Sequence, residues 1–218
     1  AMQQLMWMDK MVNPAMMFYL YISLLTFVGC VLITKPAMSY EEPKYTVIKK
    51  TDIYEVRLYE ARTVAQVVYG KEDSGFKVLF NYISGENETS SEVKMTVPVT
   101  QSEKIDMTAP VTQSKSDGKM VMQFFLPKQY SLQNAPKPND PRVSIIDLPE
   151  TYFAVISYSG STSDKNFNEH HKELKAALDK DKLTVIGIPL KATYNSPFTL
   201  PFLRRNEAMY SLDNDGGK

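Results

Sequence analysis

Two stretches of this chain repeat one pattern, and few folds accommodate such a duplication. In the first, residues 45–49, 54–58 and 64–69 carry the alternation of half-buried strands. A helix follows from about residue 73 to 83, where Phe76, Leu79, Phe80 and Ile83 recur at helical spacing. Asp73 or Ser74 can cap its start and Gly85 can stop it. The run Val97-Pro98-Val99 comes next. In the second stretch, strands at 143–147 and 153–158 precede a helix from about 164 to 178, capped by Ser163 and striped by Phe167, His171, Leu174 and Leu178. Ile188-Pro189-Leu190 then echoes the earlier proline run, and proline is tolerated at a strand's first residue or on an edge. Further strands are expected at 120–126, 184–188 and 208–212. The halves cover about 43–132 and 142–212, joined by the proline- and asparagine-rich segment 133–141. A unit of about 80 residues is too long for a solenoid repeat. The economical packing lays both helices on one curved antiparallel sheet, an α+β domain. A groove between related halves is a natural ligand site.

The first 39 residues stand apart from these halves. No charged residue occurs from Val12 to Thr34, and residues 15–33 are almost wholly apolar. As a helix that run spans about 28 Å, close to a bilayer's hydrocarbon thickness. A buried core helix would normally carry a polar face, and this segment has none. Three readings remain open: a secretory signal cut after Ala37-Met38-Ser39, an uncleaved anchor, or a lipid on Cys30 within Phe27-Val28-Gly29-Cys30. All three make residues 40–218 an exported domain, periplasmic or membrane-attached, facing away from the cytoplasm.

Composition removes several functions. The 25 basic and 25 acidic side chains balance, which argues against nucleic acid as a partner. One cysteine excludes an internal disulfide and any multi-cysteine metal cluster. Only two histidines, His170 and His171, are present, so a histidine-rich metal site is not expected. Nucleophile elbow, phosphate loop, His-Glu-x-x-His and dinucleotide fingerprint are all missing, and the expectation is a protein that is not an enzyme.

A shorter repeat lies inside the first half. Met95-Thr96-Val97-Pro98-Val99-Thr100-Gln101-Ser102 recurs as Met107-Thr108-Ala109-Pro110-Val111-Thr112-Gln113-Ser114. Read structurally, these are two extended segments joined by a polar turn at 103–106. Read functionally, Met95 and Met107 form a soft, polarizable wall of an apolar pocket.

Together with Tyr54-Glu55-Val56-Arg57-Leu58-Tyr59, Gly75-Phe76, Tyr82-Ile83-Ser84-Gly85-Glu86-Asn87, Pro136-Lys137-Pro138-Asn139-Asp140-Pro141-Arg142-Val143, Tyr194-Asn195-Ser196-Pro197 and Arg204-Arg205-Asn206-Glu207, the two copies make the chain resemble the SOUL heme-binding family. The order and spacing agree over roughly residues 43–212, in the manner of bacterial members. The resemblance implies a distorted antiparallel β-barrel of two similar βαβ-type halves with two helices packed outside. It also implies heme or another porphyrin as ligand. In some members a histidine between the arginine and tyrosine of the Tyr-Glu-x-Arg motif is an axial ligand; here that position is Leu58. Other members bind through apolar contact, with basic groups near the propionates, and this chain fits that mode. Candidates are then Arg57, Lys77, Arg204 and Arg205 for the propionates, because guanidinium matches carboxylate in a bidentate way. Met95, Met107 and His171 are candidates near the iron. For each arginine the plain alternative is an ion pair, and Glu55 and Glu207 stand close by in sequence. A histidine on an apolar stripe is ordinarily a core or boundary residue. The function expected is binding, sequestration or transport of heme, the alternatives being other small apolar ligands on the similar effector-binding scaffold, or a protein-interaction module.

Overall fold

A computed structural model describes residues 40–70, 74–88, 102–116 and 118–213, all within the compact unit Tyr40–Lys218. The apolar segment 15–33, Cys30, the 37–39 site, Met95 and the Val97-Pro98-Val99 run lie outside the described residues. Among those described, no helix is long and apolar enough to cross a membrane.

The strands are β1 (Tyr45–Lys50), β2 (Glu55–Tyr59), β3 (Arg62–Tyr69), β4 (Asn87–Glu88), β5 (Val111–Ser116), β6 (Lys119–Phe125), β7 (Lys137–Pro138), β8 (Val143–Leu148), β9 (Thr151–Tyr158), β10 (Val185–Thr193) and β11 (Asn206–Leu212). Helix α1 (Gly75–Ile83) follows β3, and α2 (Asp164–Lys180) follows β9. Nine strands make one antiparallel sheet in the order β1-β2-β9-β11-β10-β5-β6-β3-β8, curled into a half-barrel, while β4 and β7 form a separate ribbon. Every strand expected from alternation is present within a few residues of its expected bounds.

The order exposes a pseudo-twofold relation centred where β5 meets β10. Moving outward, β6, β3 and β8 on one side answer β11, β9 and β2 on the other. One strand of each half therefore completes the other half: β2 pairs with β9, and β8 with β3.

Register places both helices on the same face of the sheet. Ala65 opposes Phe124 and Val67 opposes Met122, and all four pack in the core that also takes Leu79 and Tyr82 of α1. Ala154 opposes Tyr210 and Ile156 opposes Ala208, in the core completed by Leu174 and Leu178 of α2. The opposite face carries a third core with Tyr59, Phe153, Val155 and Met209.

Three local expectations change. On α1 the buried face is Val78, Leu79, Tyr82 and Ile83, while Phe76 and Phe80 are exposed and stack on each other at 5.8 Å. The apolar arc is wider than one helical stripe, and Tyr82 takes its inner edge because its hydroxyl can donate to Pro136 O at 2.9 Å. Residues 103–106 are not a free polar turn: Ile105 is buried, its N–H donates to Ile83 O at 2.8 Å, and Asn87 Oδ1 accepts from Glu103 N at 2.9 Å. β10 does not stop at Ile188 but runs through Pro189 to Thr193. Its register against β11 slips between Ile186 and Leu190, so Pro189 sits where no ladder N–H is required. The caps are as expected, with Ser74 accepting from Lys77 N and Ser163 from Asn166 N. Gly85, at φ 117°, turns the chain out of α1.

Candidate functional site

The strip of sheet left uncovered between the two helices is the floor of an apolar cleft. Val111 and Gln113 of β5 oppose Thr193 and Lys191 of β10, so all four side chains share the helix-bearing face. Met122 of β6 extends this floor beside Gln113. Phe76 of α1 forms one wall, Met107 and Ala109 a second, and the segment from Tyr194 to Phe198 with Arg204 a third. The cleft holds about 540 Å³, within the range of about 300–1,000 Å³ common for ligand pockets.

Polar groups around it are largely engaged with protein. Gln113 Nε2 donates to Tyr69 Oη at 3.0 Å. Lys191 Nζ reaches Asp164 Oδ1 at 3.2 Å, and Asp164 is itself almost wholly in water. Arg204 donates to the carbonyls of Thr199 and Pro197, both at 2.7 Å. Tyr194 Oη donates to Glu207 Oε2 at 2.6 Å; burial, followed by the charge of Glu207, pushes its phenol pKa up. The result is an apolar slot with two cations, Lys191 and Arg204, at its edge.

Of the eight residues singled out from sequence, Met107 and Arg204 line this cleft. Arg57 does not. It is buried on the opposite face, where Nη1 meets Glu207 Oε1 at 3.0 Å and Nε meets Glu55 Oε2 at 2.9 Å. The guanidinium also lies over the Tyr45 ring, 4.5 Å from its centroid. Arg205 joins the same network through Glu207 at 3.3 Å, forms a two-pronged pair with Glu42 at 3.1 and 3.0 Å, and stacks on Tyr194 at 3.5 Å. Leu58 is half-buried on β2 between Thr46 and Tyr152. Lys77 is exposed on α1 beside a small hollow shared with Asp140 and Arg142. His171 packs against Phe167 and hydrogen-bonds Tyr210 Oη at 3.2 Å, while His170 stacks on Tyr158 with centroids 4.0 Å apart. Neither histidine lines the cleft. Burial, then the neighbouring Lys172 charge, holds the His171 pKa below its ordinary value.

The sequence does not mark Met122, Tyr194, Lys191 or Phe198 as site residues, and it sets Phe76 on the apolar spacing of α1. Phe198, directly after the turn formers Asn195-Ser196-Pro197, is the one with a local signal.

The site suits an apolar molecule bearing carboxylates. Met107, Met122, Val111, Phe76 and Phe198 offer soft apolar contact, and Lys191 and Arg204 offer charge for carboxylates. Among the described lining residues no histidine or cysteine is available as a strong iron ligand. These lining residues are of the kinds that would contact a porphyrin's apolar face and its carboxylates.

The chain is similar in sequence to known heme-binding proteins and in fold to several solved structures. Heme-binding protein 2 of Homo sapiens is 28% identical over 169 residues, 74% of this chain and 78% of the relative. Its counterpart in Mus musculus is 27% identical over the same coverage. Among solved structures, a hydrolase from Listeria innocua superposes with a TM-score of 0.50 at 10% identity, covering 76% of this chain and 94% of that one. The C-terminal domain of EcmrR superposes with a TM-score of 0.50 at 9% identity, covering 78% and 98%. At such identities these two likenesses concern the fold alone. The family model for SOUL heme-binding proteins matches residues 40–211, which takes in both halves and the whole cleft, and the chain belongs to that family.

Proposed function

We propose that this protein binds heme or a related porphyrin in the cleft between its halves, and sequesters or carries it without transforming it. The observation that carries the reading is the apolar cleft of about 540 Å³ at the β5–β10 junction, in a chain of a heme-binding family. Bound heme would supply redox-active iron. The chain's own part is to shield the macrocycle with Met107, Met122, Phe76 and Phe198 and to receive the propionates at Lys191 and Arg204. We place the domain outside the cytoplasm, on the strength of the apolar segment 15–33 alone.

Titration of the purified protein with hemin, iron-free porphyrin and an unrelated apolar dye tests the proposal. Similar affinity for hemin and iron-free porphyrin is the expected result, since no histidine or cysteine lines the cleft among the described residues. Saturable dye binding with no porphyrin response would assign the cleft to other small apolar ligands, a use consistent with its engaged polar groups.

A further inference from the structure

The face of the sheet turned away from both helices holds a second, smaller cavity of about 230 Å³. Leu190 opposes Met209 and Thr112 opposes Gln123, so β10, β11, β5 and β6 each supply part of its lining. Arg62, the first residue of β3, lines it too. Among the described lining residues it is the only charged one.

This guanidinium is held in place but not paired. Nη1 donates to Glu60 O at 3.1 Å. The rings of Tyr59, Phe125 and Phe153 surround it, with centroids 5.1, 5.5 and 5.8 Å from Cζ. Nε is buried and has no acceptor among the described residues. Arg57 and Arg205, by contrast, each meet two glutamates. Burial, opposed in part by Tyr59, pulls the Arg62 pKa below the ordinary arginine value.

Three aromatic faces ease a buried cation but accept nothing from Nε in its own plane. A water molecule would answer the N–H and leave the charge, whereas buried charges are ordinarily paired. A carboxylate answers both, because its two oxygens match a guanidinium edge. The rest of the cavity asks for an apolar body. Leu190, Met209 and the rings are apolar, and the polar groups between them are occupied: Thr112 Oγ1 donates to Gln123 Oε1 at 3.2 Å, and Gln123 Nε2 to Gln66 Oε1 at 2.7 Å. A neighbouring hollow that Arg62 also borders is rimmed by Glu41, Glu42 and Glu60, which repel an anion from that side. The volume falls below the range of about 300–1,000 Å³ of drug-sized sites, so the ligand is small.

We propose that Arg62 marks a second binding site, for an apolar monocarboxylate the size of a single aromatic ring, on the sheet face opposite the cleft. The site goes beyond the porphyrin reading and stands without it.

Benzoate is the probe, titrated calorimetrically into the full chain without porphyrin. One equivalent should bind, and benzamide, alike in shape but uncharged, should bind about tenfold more weakly or worse. Arg62→Met keeps an unbranched side chain among the rings and removes the charge. It should weaken benzoate by a similar factor and leave hemin affinity unchanged, since Arg62 does not line the cleft. Lys191 and Arg204 are cations as well, so benzoate binding that persists in folded Arg62→Met protein assigns the anion to the cleft and overturns the proposal. Ser211→Leu narrows the cavity with Arg62 intact and should also exclude benzoate, which separates occupancy from any effect of Arg62 on folding. Absence of saturable benzoate binding to the native chain overturns the site, and so does benzamide binding equally well. Phosphate binding more tightly than benzoate overturns the apolar part of the assignment.

Discussion

Glu207 carries a carboxylate on a side chain with no exposed surface, and four groups answer it: Arg57, Arg205, Tyr194 and Ser157. Removing one partner of such a set strands the rest. Glu207→Ala should cost about 3–5 kcal/mol, and the Arg57→Ala/Glu207→Ala double variant less than the sum of the singles, both read from denaturant midpoints. Burial and Lys172 depress the His171 pKa, so near and below pH 6.5 the unfolded chain binds more protons than the folded one. Stability is then full above about pH 6.5 and falls as pH drops through the folded value; His171→Gln should flatten that slope in a pH series of melts. Because neither histidine lines the cleft, His170→Ala/His171→Ala should leave porphyrin affinity and the Soret band nearly unchanged. Losing the complex with the fold intact would show a ligand role. The Tyr-Glu-x-Arg motif was visible in sequence, and so were both glutamates that pair with Arg57. That this pairing is buried was not, because Glu207 arrives from a strand 150 positions away.

An element is legible in sequence to the extent that one face of it meets one environment. The strands alternate because each has two unlike faces, and the caps at Ser74 and Ser163 are local by nature. Helix α2 fits that rule, with Leu174 and Leu178 fully buried on its expected stripe. Helix α1 does not, since its Phe76 and Phe80 serve the cleft rim and the surface while Val78, Leu79, Tyr82 and Ile83 make the core. Six apolar residues in nine positions cannot say which arc turns inward. The assignment is testable by truncation. Leu79→Ala, at a site with no exposed surface, should cost about 2–5 kcal/mol. Phe80→Ala should cost about 1 kcal/mol or less. Equal losses, measured as midpoint shifts at constant denaturant dependence, would return Phe80 to the core.

At the scale of the whole molecule, the duplication is written in the chain but its closure is not. Pattern alone shows two similar halves joined by residues 133–141; it has no means of showing that β2 leaves its own half for β9, or β8 for β3, since pairing partners lie far apart in sequence. That exchange has a physical consequence. Without β8, strand β3 exposes a ladder edge beside the core residues Ala65 and Val67, and without β2 the same holds for β9 beside Ala154. The cleft depends equally on both halves, because β5 and β10 supply its floor from either side of the junction. Each half should therefore fail to fold alone. A break after Asn139 keeps β7 with β4, and keeps the Asp140–Arg142 ion pair in the second fragment. Fragments 40–139 and 140–218 should each show little cooperative unfolding by circular dichroism. Mixed together, they should regain a single cooperative transition and porphyrin binding. A cooperative melt from either fragment by itself would mean that the halves are independent units placed side by side, and that the exchanged strands are an ornament on two self-sufficient cores rather than what joins them.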